Sequence, residues 1–218
     1  MDLKQTLRIN EIFFSIQGES TYAGQPCIFI RLSYCNLRCN YCDTEYAFYE
    51  GTEHTLVDIL NETAQFDAKL VEITGGEPLL QNNVLALMQE LSNRGYNVLL
   101  ETAGHRDISV VDERVIRIMD IKCPSSGESQ KMYWKNLEYL THKDQVKFVI
   151  GHRLDYDYAK DITKKYNLSA KVHAVLFSPV FGLLDNRVLS EWILQDQLPV
   201  RFQIQLHKYI WEPDRRGV

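Results

Sequence analysis

No stretch of the 218-residue sequence approaches the roughly 18 apolar residues that a transmembrane helix needs. No basic N-terminal run leads into an apolar segment as in a secretory signal. Both absences predict a cytoplasmic protein without membrane attachment. Basic clusters are missing too: the net charge is −5, and the densest spot, Arg215–Arg216, is offset by Glu212 and Asp214. A nucleic-acid binder needs a basic patch or stripe, so no nucleic-acid partner is expected and a small-molecule ligand is. No internal repeat, low-complexity tract or Pro/Ser-rich linker divides the chain, which predicts one domain over residues 1–218. Cysteine is sparse, five in all. In a reducing compartment such residues point to metal or redox chemistry, not disulfides.

Short β-rich runs alternate with amphipathic segments. The spacing predicts strands over Arg8–Ile16, Cys27–Leu32, Leu70–Thr74, Val98–Glu101, Arg117–Ile121, Gln145–Ile150, Lys171–Phe177 and Phe202–Leu206. Several are near-continuous apolar runs, as in strands covered on both faces. Thr55 is positioned to N-cap a helix, with Asp58 at its third position and Leu56, Ile59 and Leu60 on one face. Asn82 or Asn83 caps a second, carrying Leu85, Met88 and Leu91 and ended by Gly95. Two more helices are predicted over Asp155–Tyr166 and Asn186–Leu194. This alternation argues for an α/β fold of parallel βαβ units, closed or partly closed into a barrel. In such folds the chemistry sits at the carboxyl ends of the strands.

Four of the five cysteines fall between residues 27 and 42, and three form Cys35-x3-Cys39-x2-Cys42. One loop with this spacing wraps three thiolates around a cube face. A fully protein-ligated iron–sulfur cluster takes four cysteines, and no fourth sits at useful spacing. One iron is then open to chelate a small molecule. The alternative is a zinc site of three cysteines plus His54 or His207, although the second Cys-x2-Cys knuckle of a zinc ribbon is missing. Cys27 begins an apolar strand and reads as a small buried hydrophobe. Cys123, in Asp120-Ile-Lys-Cys-Pro124, has no assigned role. Thr74-Gly75-Gly76-Glu77-Pro78 follows a strand directly, and glycines there allow close backbone approach to a ligand. Arg31 within an apolar strand is hard to explain structurally, because an unpaired buried guanidinium is costly.

The cysteine spacing, Tyr41 before the third cysteine, and the Gly-Gly-Glu-Pro segment together resemble the radical S-adenosylmethionine (SAM) superfamily. Phe14-Ser-Ile-Gln-Gly-Glu19, Phe29-Ile-Arg-Leu32, Cys42-Asp43-Thr44 and Gln205-Leu-His-Lys-Tyr-Ile-Trp211 narrow the likeness. Over nearly the whole chain it is similar to the 7-carboxy-7-deazaguanine synthase family of 7-deazapurine (queuosine) biosynthesis.

The resemblance implies a single-domain partial (β/α) barrel, with a substrate-binding strand and loop at 8–20 and a C-terminal extension at 207–218. It implies a [4Fe–4S] cluster on Cys35, Cys39 and Cys42, with SAM and Mg²⁺ as cofactors. The expected reaction converts 6-carboxy-5,6,7,8-tetrahydropterin to 7-carboxy-7-deazaguanine with loss of ammonia, by way of a 5′-deoxyadenosyl radical, and regenerates SAM. SAM contacts are implied at Tyr41, Cys42, Asp43, Gly76, Asp120, Ile121, Lys122 and Ser178-Pro179-Val180-Phe181. Substrate contacts are implied at Ile16, Gln17, Gly18, Glu19, Arg31, Thr74 and His207. Arg31 matches a carboxylate fork, and Thr44 a hydroxyl ligand of magnesium, an ion that prefers oxygen donors and keeps waters. A flavodoxin or ferredoxin reductant and a homodimer are implied as well.

Ser20 and Tyr34 depart from the family pattern by standing where glycine is usual, which predicts altered loop shape without loss of a ligand. Either Pro213 or Val218 stands where a family carboxylate reaches the pterin. Glu101 either reaches SAM or caps its turn. His105, His142, His152 and His173 show no partner pattern, and the tryptophans are expected to pack. Two other readings of the cysteines remain: a glycyl-radical activase, which acts on a protein, and a zinc-binding interaction module without catalysis.

Overall fold

The computed structural model describes residues 3–218. Nine strands lie in one sheet: β1 (Thr6–Ile16), β2 (Pro26–Leu32), β3 (Thr52–Thr55), β4 (Leu70–Gly75), β5 (Asn97–Thr102), β6 (Ile116–Asp120), β7 (Gln145–Ile150), β8 (Ala174–Pro179) and β9 (Arg201–Phe202). Seven α-helices among the described residues connect or follow them: α1 (Leu56–Thr63), α2 (Val84–Asn93), α3 (Asn136–Tyr139), α4 (Arg153–Lys165), α5 (Leu168–Lys171), α6 (Asn186–Gln195) and α7 (His207–Ile210). The strand order is β3-β1-β2-β4-β5-β6-β7-β8-β9. Every neighbouring pair from β2 onward is parallel, while β1 pairs antiparallel with both β2 and β3. The end strands β3 and β9 do not meet, so the α/β barrel is partial, as expected.

Alternation along each strand sends successive side chains to opposite faces. Ile28, Ile30, Val71, Ile73, Val98, Leu100, Met119, Val146, Phe148, Val175 and Phe177 point under the helices into the main core. The inner face carries a smaller apolar cluster of Cys27, Phe29, Leu70, Leu99 and Ile118. Beside it on the same face stand charged side chains, because registry sets Phe29 against Glu72 and Asp120 against Lys147.

Local chemistry explains the helix ends. Thr55 accepts from the Asp58 backbone amide, and Asp58 accepts from that of Thr55. The resulting capping box buries Leu56, Ile59 and Leu60, as the sequence predicts. Asn83 begins α2 but spends its side chain on the Thr6 carbonyl; Met88 and Leu91 are buried as expected, joined by Val84 and Leu87, whereas Leu85 is only half-buried. Gly95, at φ +79°, takes the left-handed position after α2. Helix α4 starts two residues before the predicted Asp155, whose carboxylate accepts from the Gly151 and His152 amides. The predicted strand from Lys171 begins only at Ala174, because residues 168–171 close a helical turn. The predicted Phe202–Leu206 strand shrinks to Arg201–Phe202. Strand β3 was not expected; it is short and polar and pairs only through β1.

Candidate active site

Two loops approach one cavity of about 530 Å³. The first leaves β2 and carries the three cysteines. Tyr34, at φ +74°, turns the chain there, and its carbonyl accepts from the Glu77 amide at 2.7 Å. A Cβ on Gly76 would lie 2.0 Å from that carbonyl oxygen and one on Gly75 2.6 Å from the Leu32 carbonyl oxygen. The paired glycines therefore let the cysteine loop press against the end of β4. Arg38, itself exposed, braces the loop by donating to the carbonyls of Cys35 at 2.7 Å and Leu37 at 2.6 Å. Its own amide donates to Glu128 at 2.6 Å. Asn40 binds the Ser125 and Ser126 carbonyls, and the Tyr41 hydroxyl donates to the Val149 carbonyl at 3.3 Å. Cys35, Cys39 and Cys42 are all unpaired, partly exposed and in the cavity wall.

The second loop joins β1 to β2. Ser20, at φ +60°, bends it, so both positions where glycine is usual adopt the left-handed backbone that glycine favours. Thr21 and Gln145 exchange hydrogen bonds across the start of β7. The Gly18 carbonyl accepts from Leu206, and a Cβ on Gly18 would collide with His207. The turn is thus held between β7 and the segment before α7, where Gln17, Gly18 and Glu19 enter the cavity.

Charged groups fill the inner face between the loops. Lys147 is 6% exposed and donates to Glu19 at 2.9 Å and to Glu101, with Asp120 at 3.9 Å. Asp120 pairs with Lys122 at 2.7 Å. Gln205 donates to both Glu19 and Asp43, and Lys208 pairs with Asp43 at 3.0 Å. Burial pushes the Asp43 carboxyl up, but Lys208 and Gln205 outweigh it and bring it to about 2. Glu19 is likewise raised by burial, then carried below its ordinary value by Lys147, His207 and Gln205. Glu101 stays raised, because burial exceeds the pull of Lys147. Glu72 is raised further by burial and by Glu101 and Glu19; its hydrogen-bond partner is the neutral Gln17 amide. Arg31 lines the cavity and gives its Nε–H to Glu11 at 2.7 Å.

Of the residues singled out in the sequence, Cys35, Cys39, Tyr41, Cys42, Asp43, Thr44, Thr74, Gly76, Asp120, Lys122, Ser178, Pro179, Val180, Phe181, Ile16, Gln17, Gly18, Glu19, Arg31 and His207 all line the cavity. Ile121 is the exception. Alternation turns its side chain away from its two neighbours and into the main core, where it is fully buried. Val218 lines the cavity and Pro213 does not. Cys27 sits in the inner apolar cluster as expected, and Cys123 belongs to the main core.

Sequence reasoning passed over Glu72, Lys147 and Gln205. The same signal that marked Arg31, a charge inside an apolar run, was present at Val71-Glu72-Ile73 and Val146-Lys147-Phe148. It also left the role of Glu77 unstated: this buried carboxylate accepts from Leu79, Thr102 and Ala103 and so ties β4 to β5.

The donor set suits the implied cofactors. No three His, Cys, Asp or Glu side chains among the described residues converge as ligands of one ion. A cubane asks for one thiolate per iron, and Cys35, Cys39 and Cys42 stand together in the cavity wall. Asp120 Oδ1 and Ser178 Oγ are buried in the cavity wall without a protein partner, and buried polar atoms need one. Both can hydrogen-bond a ligand that carries amino and hydroxyl groups, as SAM does. Thr44 offers a single hydroxyl oxygen, which fits a magnesium ion completed by ligand oxygens and water.

Residues 29–125 match the radical SAM superfamily. The chain is 45% identical to a 7-carboxy-7-deazaguanine synthase of Koribacter versatilis, over 97% of this chain and all of that protein. It is 46% identical to one of Chlorobaculum tepidum, over the full length of both. Its fold is similar to that of QueE from Escherichia coli, with a TM-score of 0.72, 22% identity, and 93% and 95% of the two chains covered.

Proposed function

The chain belongs to the 7-carboxy-7-deazaguanine synthase family of radical SAM enzymes, and on that premise we propose how its own residues carry out the ring contraction of 6-carboxy-5,6,7,8-tetrahydropterin. Cys35, Cys39 and Cys42 hold the [4Fe–4S] cluster. When bound, the cluster and SAM supply the radical that takes hydrogen from the pterin. Asp120, Lys122, Gly76 and residues 178–181 hold SAM, with Tyr41 and Asp43 beside it. The backbone of Ile121 contributes at most, since its side chain is in the core.

The pterin enters between the β1–β2 turn and the segment before α7. The Nη groups of Arg31 grip its carboxylate in a charge-assisted fork. Burial pulls the Arg31 pKa down, but Tyr46, Glu11 and Asp43 outweigh it, so the guanidinium stays charged. Ile16, Gln17, Gly18, Glu19, Thr74 and His207 enclose the ring. Burial draws the His207 pKa below its ordinary value, and Glu19 and Asp43 oppose that shift. Thr44 completes the magnesium shell with substrate oxygens and water.

The observation that carries this reading is that three loop cysteines, Thr44 and a cavity-facing arginine open onto one cavity. The strand and loop at 8–20 and the extension at 207–218 act as two walls of one domain. A flavodoxin or ferredoxin supplies the electron, the protein works as a homodimer, and it resides in the cytoplasm; among the described residues no helix is long and apolar enough to cross a membrane.

The test is an anaerobic assay with reductant, SAM, magnesium and 6-carboxytetrahydropterin, read by mass spectrometry. The expected product is 7-carboxy-7-deazaguanine with SAM unconsumed. Protein that carries its cluster yet forms none of that product would overturn the reading. Arg31→Ala is expected to keep SAM binding and lose turnover. Thr44→Ala is expected to keep its cluster and lose its response to magnesium.

A further inference from the structure

Lys147 lies in the middle of β7, in register with Asp120 on β6 and Leu176 on β8. Three elements deliver carboxylates to its ammonium: Glu19 from the β1–β2 turn, Glu101 from β5 and Asp120 from β6. Asp120 has a second cation in Lys122. Among the described residues Glu19 and Glu101 pair with no other cation, although Gln205 also donates to Glu19. Glu72 faces both carboxylates from β4, and His207 faces Glu19 from α7. All of these side chains line the cavity. Two carboxylates brought together in a poorly solvated site repel, and without a cation one takes up a proton.

We propose that Lys147 is a positioning residue of this site: its ammonium holds Glu19 and Glu101 side by side, as ionised acceptors for N–H groups of the substrate. The inference rests on the synthase reading, since a reduced aminopterin is rich in such donors. Lys147 has its hydrogens engaged by protein carboxylates and acts on the ligand only through them. A structural lysine would affect folding alone, whereas this one sets the protonation of two ligand-facing groups.

The experiment is calorimetric titration of cluster-loaded protein, with SAM and without reductant, by 6-carboxytetrahydropterin from pH 6.5 to 9. Lys147→Met is expected to weaken substrate binding tenfold or more near pH 7. The loss should shrink as pH rises, because hydroxide removes the proton that Glu19 and Glu101 then share. SAM affinity and iron content should match the parent, since Asp120 keeps Lys122. Lys147→Arg should restore most of the affinity. The double variant Lys147→Met/Glu101→Gln, which removes the repulsion, should bind more weakly than the parent with no such pH recovery. Parent-like binding by Lys147→Met, or a loss of equal size at every pH, would overturn the proposal. A parent protein that neither binds nor converts the pterin would instead overturn the synthase reading.

Discussion

At the scale of single residues, close approach explains more of this site than ligand chemistry does. Gly76 is where the cysteine loop rests on β4, and its missing side chain makes room for the Tyr34 carbonyl. Gly76→Ala places a methyl group where backbone stands, so the loop must move. Its expected outcome is protein that folds but holds substantially less iron and sulfide after anaerobic reconstitution. Metal and sulfide analysis per chain measures this. His105 is a second case. Its Nε2 meets Asn36 at 2.6 Å, its Nδ1 stands 3.7 Å from Glu77, and its side chain is 6% exposed. Burial, reinforced by Arg106 and Lys122, pulls its pKa from 6.5 to about 4. The unfolded chain binds this proton more readily than the folded one. His105 therefore contributes stability above pH 6.5 that drains away as pH falls towards 4. A shift of that size amounts to about 3 kcal/mol. Chemical denaturation at pH 7 and pH 4.5 should show His105→Gln losing clearly less stability between the two than the parent does.

At the scale of elements, what could be read from sequence depended on whether the cause was local. Thr55, Asp58 and the Leu56/Ile59/Leu60 face sit within one turn or two, so helix α1 was legible in full. Thr55→Ala removes the hydroxyl that accepts from the Asp58 amide and donates to the Asp58 carboxylate, while the Thr55 amide keeps its own bond to Asp58, and it is expected to cost about 1 kcal/mol. The urea midpoint should fall accordingly, with kcat unchanged. Strand β3 was not legible, because Thr52-Glu-His-Thr55 has no apolar period and is a strand only where β1 provides a partner. The start of β8 was misjudged for the opposite reason: Leu168–Lys171 has local helical turns that the β-rich run downstream hides. The site follows the same rule. Contiguous motifs announced the cysteine loop and the glycines after β4. Lys147, Glu72 and Glu101 meet only through strand registry, and each stands alone in its own apolar run. Ile121 was taken together with its neighbours as a strand-end triplet, whereas alternation sends only the outer side chains to the cavity and leaves Ile121 its backbone alone.

At the scale of the whole molecule, the sheet divides the labour between stability and chemistry, and neighbouring residues fall on opposite sides of that division. Leu99 and Leu100 are both fully buried. Leu100 packs in the main core beneath the helices, whereas Leu99 belongs to the small cluster on the inner face, in register with Glu72. Truncating either to alanine leaves a cavity, and such changes cost about 2–5 kcal/mol. The two should differ in what else they disturb. Leu100→Ala opens its void away from the charged face, so the surviving folded protein should keep the parent kcat/KM. Leu99→Ala opens its void beside Glu72, where Gln17 is held, and gives the carboxylates room to shift. It should therefore raise the KM for the pterin several-fold on top of its stability loss. Urea melts paired with steady-state kinetics at a temperature where both variants are folded will compare them. Equal kcat/KM in the two variants would show that the inner cluster only fills space and does not support the charged groups beside it.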